Sequence, residues 1–393
     1  MEMYYNTLRL YLGSGFVAVF LAVSCFLLLN SCENNSGQKF ESDIPVSVVP
    51  KDKAIVFPFD AGIKIWDVNR IPDRDKTQIE FPHLAFFKGY LYCSFREAPI
   101  HGVHIDGRGR VIRSSDGINW ESVVLLESAT GDIRDPRLSV STDGILVVNA
   151  SIAFIEEVAP FQVIDGQTVR RQSVTWLSAD GENWTGPYSC PTGINTWRWD
   201  IAWHKGSGYS IGYSGKDSGG TLYRTSDGKT WQLVKENLFP GGAGNEAALT
   251  FGHEGTLYIL LRRGLNAHAA LGVSRPPSYQ DWNWRELDVC WEGKEVREQL
   301  KDITGGADLG GPNLITLKDG RIFGAGKINR QASANYFLLD PEDALLTRVA
   351  GVQHGSSYPG IVEHDGDIWL SYDKGEFTFG IGPVYIKRIR LTD

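Results

Sequence analysis

Ser114-Ser115-Asp116-Gly117-Ile118-Asn119-Trp120 is the stretch that decides the fold, because it returns twice along the chain. The second copy is Ser178-Ala179-Asp180-Gly181-Glu182-Asn183-Trp184 and the third is Thr225-Ser226-Asp227-Gly228-Lys229-Thr230-Trp231. Each follows an alternating run (Arg110-Val111-Ile112-Arg113, Ser173-Val174-Thr175-Trp176, Thr221-Leu222-Tyr223-Arg224) and precedes another. Asp-Gly supplies a turn that tolerates left-handed backbone, the carboxylate can hold amide N–H groups, and the Trp can fold back as an apolar clamp. One such hairpin says little, but a recurring one specifies a repeat architecture.

A second series of tight turns is more complete: Lys88-Gly89, Asp143-Gly144, Gly206-Ser207-Gly208, Glu254-Gly255, Asp319-Gly320 and Asp365-Gly366. Apolar runs flank each, as Leu84-Ala85-Phe86-Phe87 and Tyr90-Leu91-Tyr92 flank the first. Six two-stranded cores, each joined to the hairpin that follows it, predict an all-β, six-bladed β-propeller. Its blades fall near 82–128, 135–190, 197–238, 245–290, 307–352 and 357–392. The last blade holds three strands at the C-terminus, and Ile63-Lys64-Ile65-Trp66 is expected to supply the fourth and close the ring, which protects sheet edges.

Composition agrees. Forty-four glycines, twelve tryptophans and two methionines suit many short strands and tight turns. A net charge of −8 argues against nucleic acid, whose phosphates call for a basic surface. An acidic sugar needs only a local cluster of Arg. Cys93, Cys190 and Cys290 are dispersed and contain no Cys-x-x-Cys pair, so neither a disulfide framework nor a zinc site is expected, and they read as buried free thiols. His101 and His104 are too few for a metal site, and no glycine-rich nucleotide loop follows a strand and opens a helix. Neither metal nor cofactor is expected.

The chain begins with an apolar run, Leu10 to Leu29, that ends in Asn30-Ser31-Cys32. It is similar to a bacterial lipoprotein signal, with Cys32 as the lipidated residue and Glu33-Asn34-Asn35-Ser36-Gly37 as a polar tether. Cys25 after Ala22-Val23-Ser24 is a competing cleavage site, and an uncleaved transmembrane anchor is the alternative reading. The expected organisation is a signal peptide over 1–32, a tether and linker over 33–60 and the propeller over 61–393. The protein would then be an exported, membrane-anchored monomer at the cell surface or in the periplasm.

Strand direction separates the two faces of a propeller. The glycine turns and the Asp-Gly-x-x-Trp turns share one face, so Asp116, Asp180 and Asp227 read as structural. The other face carries the start of each innermost strand and the loop after each second strand, where active-site loops converge. The first set offers Arg134-Asp135-Pro136-Arg137, Arg198 with Asp200, Asn245-Glu246, Asp308 with Asn313, and Tyr358. The second offers Arg96-Glu97, His101, His104, Asp106, Glu156-Glu157, Arg262-Arg263, Lys327, Arg330 and Tyr372-Asp373. Guanidinium groups grip carboxylates, and carboxylates move protons. A bland alternative is that charges end strands because strand ends meet water.

From these residues, residues 80–392 resemble the sialidase (neuraminidase) superfamily, whose members are six-bladed propellers carrying Asp boxes. The resemblance implies a Tyr nucleophile paired with a Glu, three Arg residues on the substrate carboxylate and an Asp acid/base on a first-blade loop. Tyr358, in Ser356-Ser357-Tyr358-Pro359-Gly360, matches the Tyr, and Glu246 matches the Glu. Arg262 matches the Arg that ends the fourth blade's second strand, with Arg263 as neighbour, and Arg330 lies where the third Arg belongs. A phenol of pKa about 10 needs a neighbouring carboxylate to take its proton. The first-blade Phe-Arg-Ile-Pro motif is missing, because Glu80-Phe81-Pro82-His83 stands there. Arg96 or Arg134 is the expected replacement guanidinium, and Asp106 or His104 the expected acid/base.

The reading that follows is an exo-acting glycoside hydrolase that releases a terminal acidic sugar with retention. The first alternative is a propeller hydrolase of another glycan, arabinan or uronide, using carboxylates such as Glu246, Asp106 or Glu156. The second is a non-catalytic glycan-binding surface propeller with Trp197, Trp199 and Trp203 as stacking platform.

Overall fold

The computed structural model describes residues 55–56, 62–67, 77–215, 219–264, 267–291, 294–295, 308–328, 334–352, 358–373 and 382–391. All of them lie in one compact unit, Ser47–Asp393. The apolar run over 10–29, Cys32 and Arg330 lie outside the described residues. Among the described residues no helix is long and apolar enough to cross a membrane.

Six antiparallel sheets form the blades. Blade 1 runs Gln78–Phe87, Tyr90–Ala98, Arg108–Ser114 and Glu121–Leu126 from the axis outward. Blade 2 runs Gly131–Val140, Leu146–Phe154, Arg171–Ser178 and Thr185–Ile194. Blade 3 has Trp197–Arg198 and Ala202–His204 on its inner edge, then Ser207–Tyr213, Thr221–Thr225 and Gln232–Glu236. Blade 4 runs Ala247–Phe251, Leu257–Leu261, Ala270–Ser274 and Asn283–Glu286. Blade 5 runs Leu309–Thr316, Ile322–Ile328, Ala334–Asp340 and Leu345–Val352, and Asp288–Trp291 lies parallel along its outer edge. Blade 6 runs Gly360–His364, Asp367–Asp373 and Val384–Leu391. Its outer position is taken by Ile63–Trp66, with Ile63 opposite Ile386 and Trp66 opposite Val384. Innermost strands of successive blades touch around the ring, and blade 6 meets blade 1.

The core is divided among the seams between blades. Six apolar clusters of buried residues occupy the six seams, for example Leu260, Leu314 and Phe337 between blades 4 and 5. Each blade is apolar on both faces and shields its neighbours, which is why the strands read as near-continuous hydrophobic runs.

The repeated hairpins lock those seams. Asp116 Oδ1 accepts the amides of Ile118 and Asn119, each at 2.8 Å, and Trp120 Nε1 donates to Gly117 O at 3.1 Å. Asp180 and Asp227 hold the equivalent amides. These bonds, with the Asn119 backbone first, hold the Asp116 carboxyl below its usual range. Gly117 has φ +73°, and a Cβ there would lie 2.5 Å from the Trp369 ring of blade 6, so only glycine lets the turn press on the neighbouring blade. In the third blade the tight turn is centred on Lys205 and Gly206, both at positive φ, one residue earlier than the sequence suggests.

Candidate active site

The inner strands do not start cleanly, and this irregularity builds the site. In blades 1, 2 and 5 the register slips between Glu80 and His83, Arg134 and Arg137, and Gly310 and Asn313. Each slip contains a residue at positive φ followed by proline: Phe81 (φ 61°), Asp135 (φ 46°) and Gly311 (φ 60°). Proline has no N–H for the ladder, so the strand bulges there. The freed carbonyls of Pro136 and Pro312 are satisfied from other blades, that of Pro312 from across the ring. Ser94 Oγ donates to Pro136 O at 2.6 Å, and Arg137 Nη2 and Trp199 Nε1 donate to Pro312 O at 2.9 and 3.1 Å. The residue before each proline is thereby pushed toward the axis. Tyr358-Pro359 stands at the same place in blade 6, without a positive φ or a register slip.

Tyr358, Glu246 and Arg262 meet there. Tyr358 Oη donates to Glu246 Oε1 at 2.7 Å. Arg262 Nη1 donates to the same Oε1 at 2.8 Å and to Tyr358 Oη at 3.0 Å. The second carboxylate oxygen, Oε2, accepts the Gly311 amide at 2.7 Å. Glu246 and Arg262 face one another across strands one and two of blade 4, locked by Arg262 N to Glu246 O at 2.9 Å. Asp308 Oδ2 lies 3.4 Å from Arg262 Nε, and its Oδ1 accepts Gly264 N at 3.1 Å. A Cβ on Gly311 would come within 2.1 Å of the Tyr358 ring, so glycine is needed both for the backbone and for the phenol's place.

Burial pushes the Tyr358 hydroxyl well above the usual phenol range, and the Glu246 charge pushes it further. The charge of Glu246 holds the Arg262 guanidinium up in turn. The resting phenol is therefore protonated, with its proton directed at a carboxylate. Phe81 packs on the Tyr358 ring at 4.9 Å between centroids, and Trp199 meets it edge-on at 5.7 Å. Tyr213, almost fully buried, lies near the same group, and burial raises its hydroxyl as well.

Asp135 is the residue that sequence reasoning did not single out. It is 5% exposed, and its Oδ1 has no hydrogen-bond partner among the described residues. Burial raises its carboxyl to about 6, helped by the Glu246 charge and opposed by Arg134, Arg137 and Arg96. The signal that could have found it is the recurrence of Phe81-Pro82, Asp135-Pro136, Gly311-Pro312 and Tyr358-Pro359 at inner-strand starts.

The other expected residues lie elsewhere or are occupied. Arg96 is fully buried and committed: Nη1 donates to Glu80 Oε2 at 2.7 Å, and Nε and Nη2 donate to Asp132 at 2.9 and 2.6 Å. Its remaining bonds go to the carbonyls of Ile100 and Gly102. The structure thus makes Arg96 the anchor of the first-blade loop, with every nitrogen engaged inside the protein. Arg134 Nη1 donates to His101 O at 2.7 Å, and its guanidinium lies over Phe81 at 5.8 Å. His104 Nδ1 accepts the Asp106 amide at 3.1 Å. Asp106 is half exposed, 3.7 Å from both His104 Nδ1 and Arg108 Nη2. Arg263 pairs with Glu286 at 3.1 Å, and Glu156 is exposed. Trp199 is buried, while Trp197 stacks on Tyr213 and Trp203 Nε1 donates to Ser139 Oγ, so the three do not form one open platform. Among the described residues no cluster of His, Cys, Asp or Glu could hold a metal ion.

No protein family and no curated protein matches the chain by sequence. Solved structures do match in shape. A Dyadobacter fermentans protein of unknown function superposes with TM-score 0.64 at 17% identity, covering 87% of this chain and 100% of that one. The intramolecular trans-sialidase of Ruminococcus gnavus superposes with TM-score 0.57 at 14% identity, covering 80% and 95%. The α-L-arabinanase of Penicillium chrysogenum does so with TM-score 0.54 at 13% identity, covering 84% and 98%. At such identities the likeness speaks for the fold. The chain has the sialidase-like six-bladed β-propeller fold.

Proposed function

We propose that this protein is a retaining, exo-acting glycoside hydrolase of sialidase type, with Tyr358 as nucleophile, and that it releases a terminal acidic sugar. The observation that carries the reading is the 2.7 Å bond from Tyr358 Oη to Glu246 Oε1, held in place by Arg262. As Tyr358 Oη attacks the anomeric carbon, its proton passes to Glu246, and the positive Arg262 offsets the charge developing on the pair. Asp106, on the first-blade loop, gives a proton to the leaving oxygen. It then takes one from the water that cleaves the tyrosyl–sugar bond, and the phenol recovers its proton from Glu246. A neutral phenol attacks an anionic sugar without the repulsion a carboxylate nucleophile would meet.

A second reading concerns the sugar. Glu80-Phe81 stands where a clamp Arg is expected, Arg96 is spent on Glu80 and Asp132, and an aromatic ring covers Tyr358 on that side. This favours a glycan with no carboxylate at that position, such as an arabinoside.

The test is a chromogenic panel of sialosides, uronides and arabinosides with wild type and Tyr358→Phe. We expect turnover of one class, retention of anomeric configuration by NMR, and a loss of at least about 10³-fold in kcat for the variant at unchanged melting temperature. Full activity in Tyr358→Phe would end the nucleophile assignment. Glycan-array binding without turnover of any class would favour the non-catalytic alternative.

A further inference from the structure

We propose that Cys190 and Arg198, on the seam between blades 2 and 3, form a peroxide-reactive modification site in which the guanidinium receives the oxyanion of the oxidised sulfur. The site is remote in role from the Tyr358 centre, and the inference does not depend on the glycosidase reading.

The first observation is a buried cation without an anion. Arg198 is 1% exposed. Its guanidinium reaches neutral groups only: Thr192 Oγ1 at 3.4 Å, Ser173 O at 3.5 Å and Cys190 Sγ at 3.8 Å. Its Nε has no partner among the described residues. The rings of Trp231 and Tyr223 lie 4.8 and 5.7 Å from it, which offsets part of the desolvation. Arg96 and Arg262 each pair with carboxylates; Arg198 pairs with none among the described residues. An uncompensated buried charge is costly, and burial duly pushes this guanidinium down.

The second observation is the thiol. Cys190 sits on the outermost strand of blade 2, Thr185–Ile194, packed against the seam yet partly exposed. Its Sγ lies 3.2 Å from Thr192 Oγ1. Cys190 is partly exposed, and Arg198 Nη2 faces its sulfur at 3.8 Å. Tyr223 is the other titratable group beside the guanidinium, and on the cysteine's own strand Tyr188 carries Lys229 over its ring at 4.5 Å.

The chemistry balances with hydrogen peroxide as the oxidant. The sulfur attacks one peroxide oxygen, an S–O bond forms as the O–O bond breaks, and the thiol proton leaves on the departing hydroxide as water. Sulfur loses two electrons and peroxide gains them, giving the sulfenic acid. A second peroxide repeats the step and yields the sulfinate. That anion supplies the negative charge Arg198 lacks, on the sulfur that Nη2 already approaches at 3.8 Å, so oxidation removes the electrostatic defect of the seam.

The experiment uses the whole protein, treated with hydrogen peroxide, with peptide mass mapping, dimedone trapping of the sulfenic acid and thermal melts. Cys190 should gain first one and then two oxygens while Cys93, which is fully buried, stays reduced. The melting temperature should rise by about 2–5 °C, and Arg198→Met should abolish the rise. Cys190→Asp, which places a carboxylate where the sulfinate would form, should melt above Cys190→Ser and reverse that order in an Arg198→Met background. If Arg198→Met does not fold, the Asp-against-Ser comparison alone decides. A Cys190 that stays reduced, a melting temperature that falls on oxidation, or Cys190→Asp melting below Cys190→Ser would each overturn the proposal.

Discussion

At the residue scale, the central site is governed by which protons burial retains. Asp135 shows this best. Its carboxyl is raised to about 6 in the folded protein, chiefly by burial, against a usual value near 4. The neutral acid therefore favours folding at low pH. That contribution is complete below the unfolded-state pKa and is lost as pH rises through about 6. Asp135→Asn removes the ionisable group, and Asn tolerates the left-handed backbone that position 135 requires. We expect the variant to be more stable than wild type at pH 8 by about 2–3 kcal/mol, with the gap closing toward pH 4; urea melts across that range measure it. Gly311 is the second decisive residue. A methyl group there meets the Tyr358 ring at 2.1 Å on a backbone with φ +60°. Gly311→Ala should cost about 10²-fold in kcat by displacing the phenol from Glu246, and steady-state kinetics on the substrate found in the panel read it directly.

At the scale of the element, the hairpin turns and the proline bulges divide the work. The Asp-Gly-x-x-Trp turns are seam fasteners. Trp120 is 8% exposed, sits in the cluster between blades 6 and 1, and caps its own turn through Gly117 O. Trp120→Ala should destabilise by about 3–5 kcal/mol and leave kcat/KM unchanged, because the turn lies on the face opposite Tyr358. Calorimetry paired with kinetics separates the two effects. The bulges do the reverse: they interrupt the inner strands, at some cost to the ladder, and aim Phe81, Asp135 and the Gly311 amide at the axis.

For the whole molecule, closure is the organising fact. Ile63–Trp66 completes blade 6, with Ile65 and Trp66 buried in the seam to blade 1. Trp66 Nε1 also donates to Glu97 Oε1 at 3.2 Å. Removing residues 1–67 would open an edge on Val384–Leu391 and uncover that seam. The truncated chain should lose cooperative unfolding and associate through the exposed edge; light scattering beside a thermal melt distinguishes it from the closed protein.

The ring itself was legible in the sequence, because turn chemistry and apolar runs are local and repeat in every blade. Strand direction also put Glu246, Arg262 and Tyr358 on one face, while their grouping came from the resemblance to sialidases. What local pattern cannot reveal is where a long side chain spends its charge. Arg96 has the residue type and position of a substrate clamp, yet Glu80 of its own blade and Asp132 of blade 2, 16 residues before and 36 after it, hold it between them. Asp135 reads as one charge among several, and only the packing of six inner strands leaves its Oδ1 buried and unpartnered. The sequence by itself determined the repeat and the face on which Tyr358, Glu246 and Arg262 lie. The tertiary structure decided which guanidinium and carboxyl groups remain available at the axis, because that depends on contacts between blades far apart in the chain.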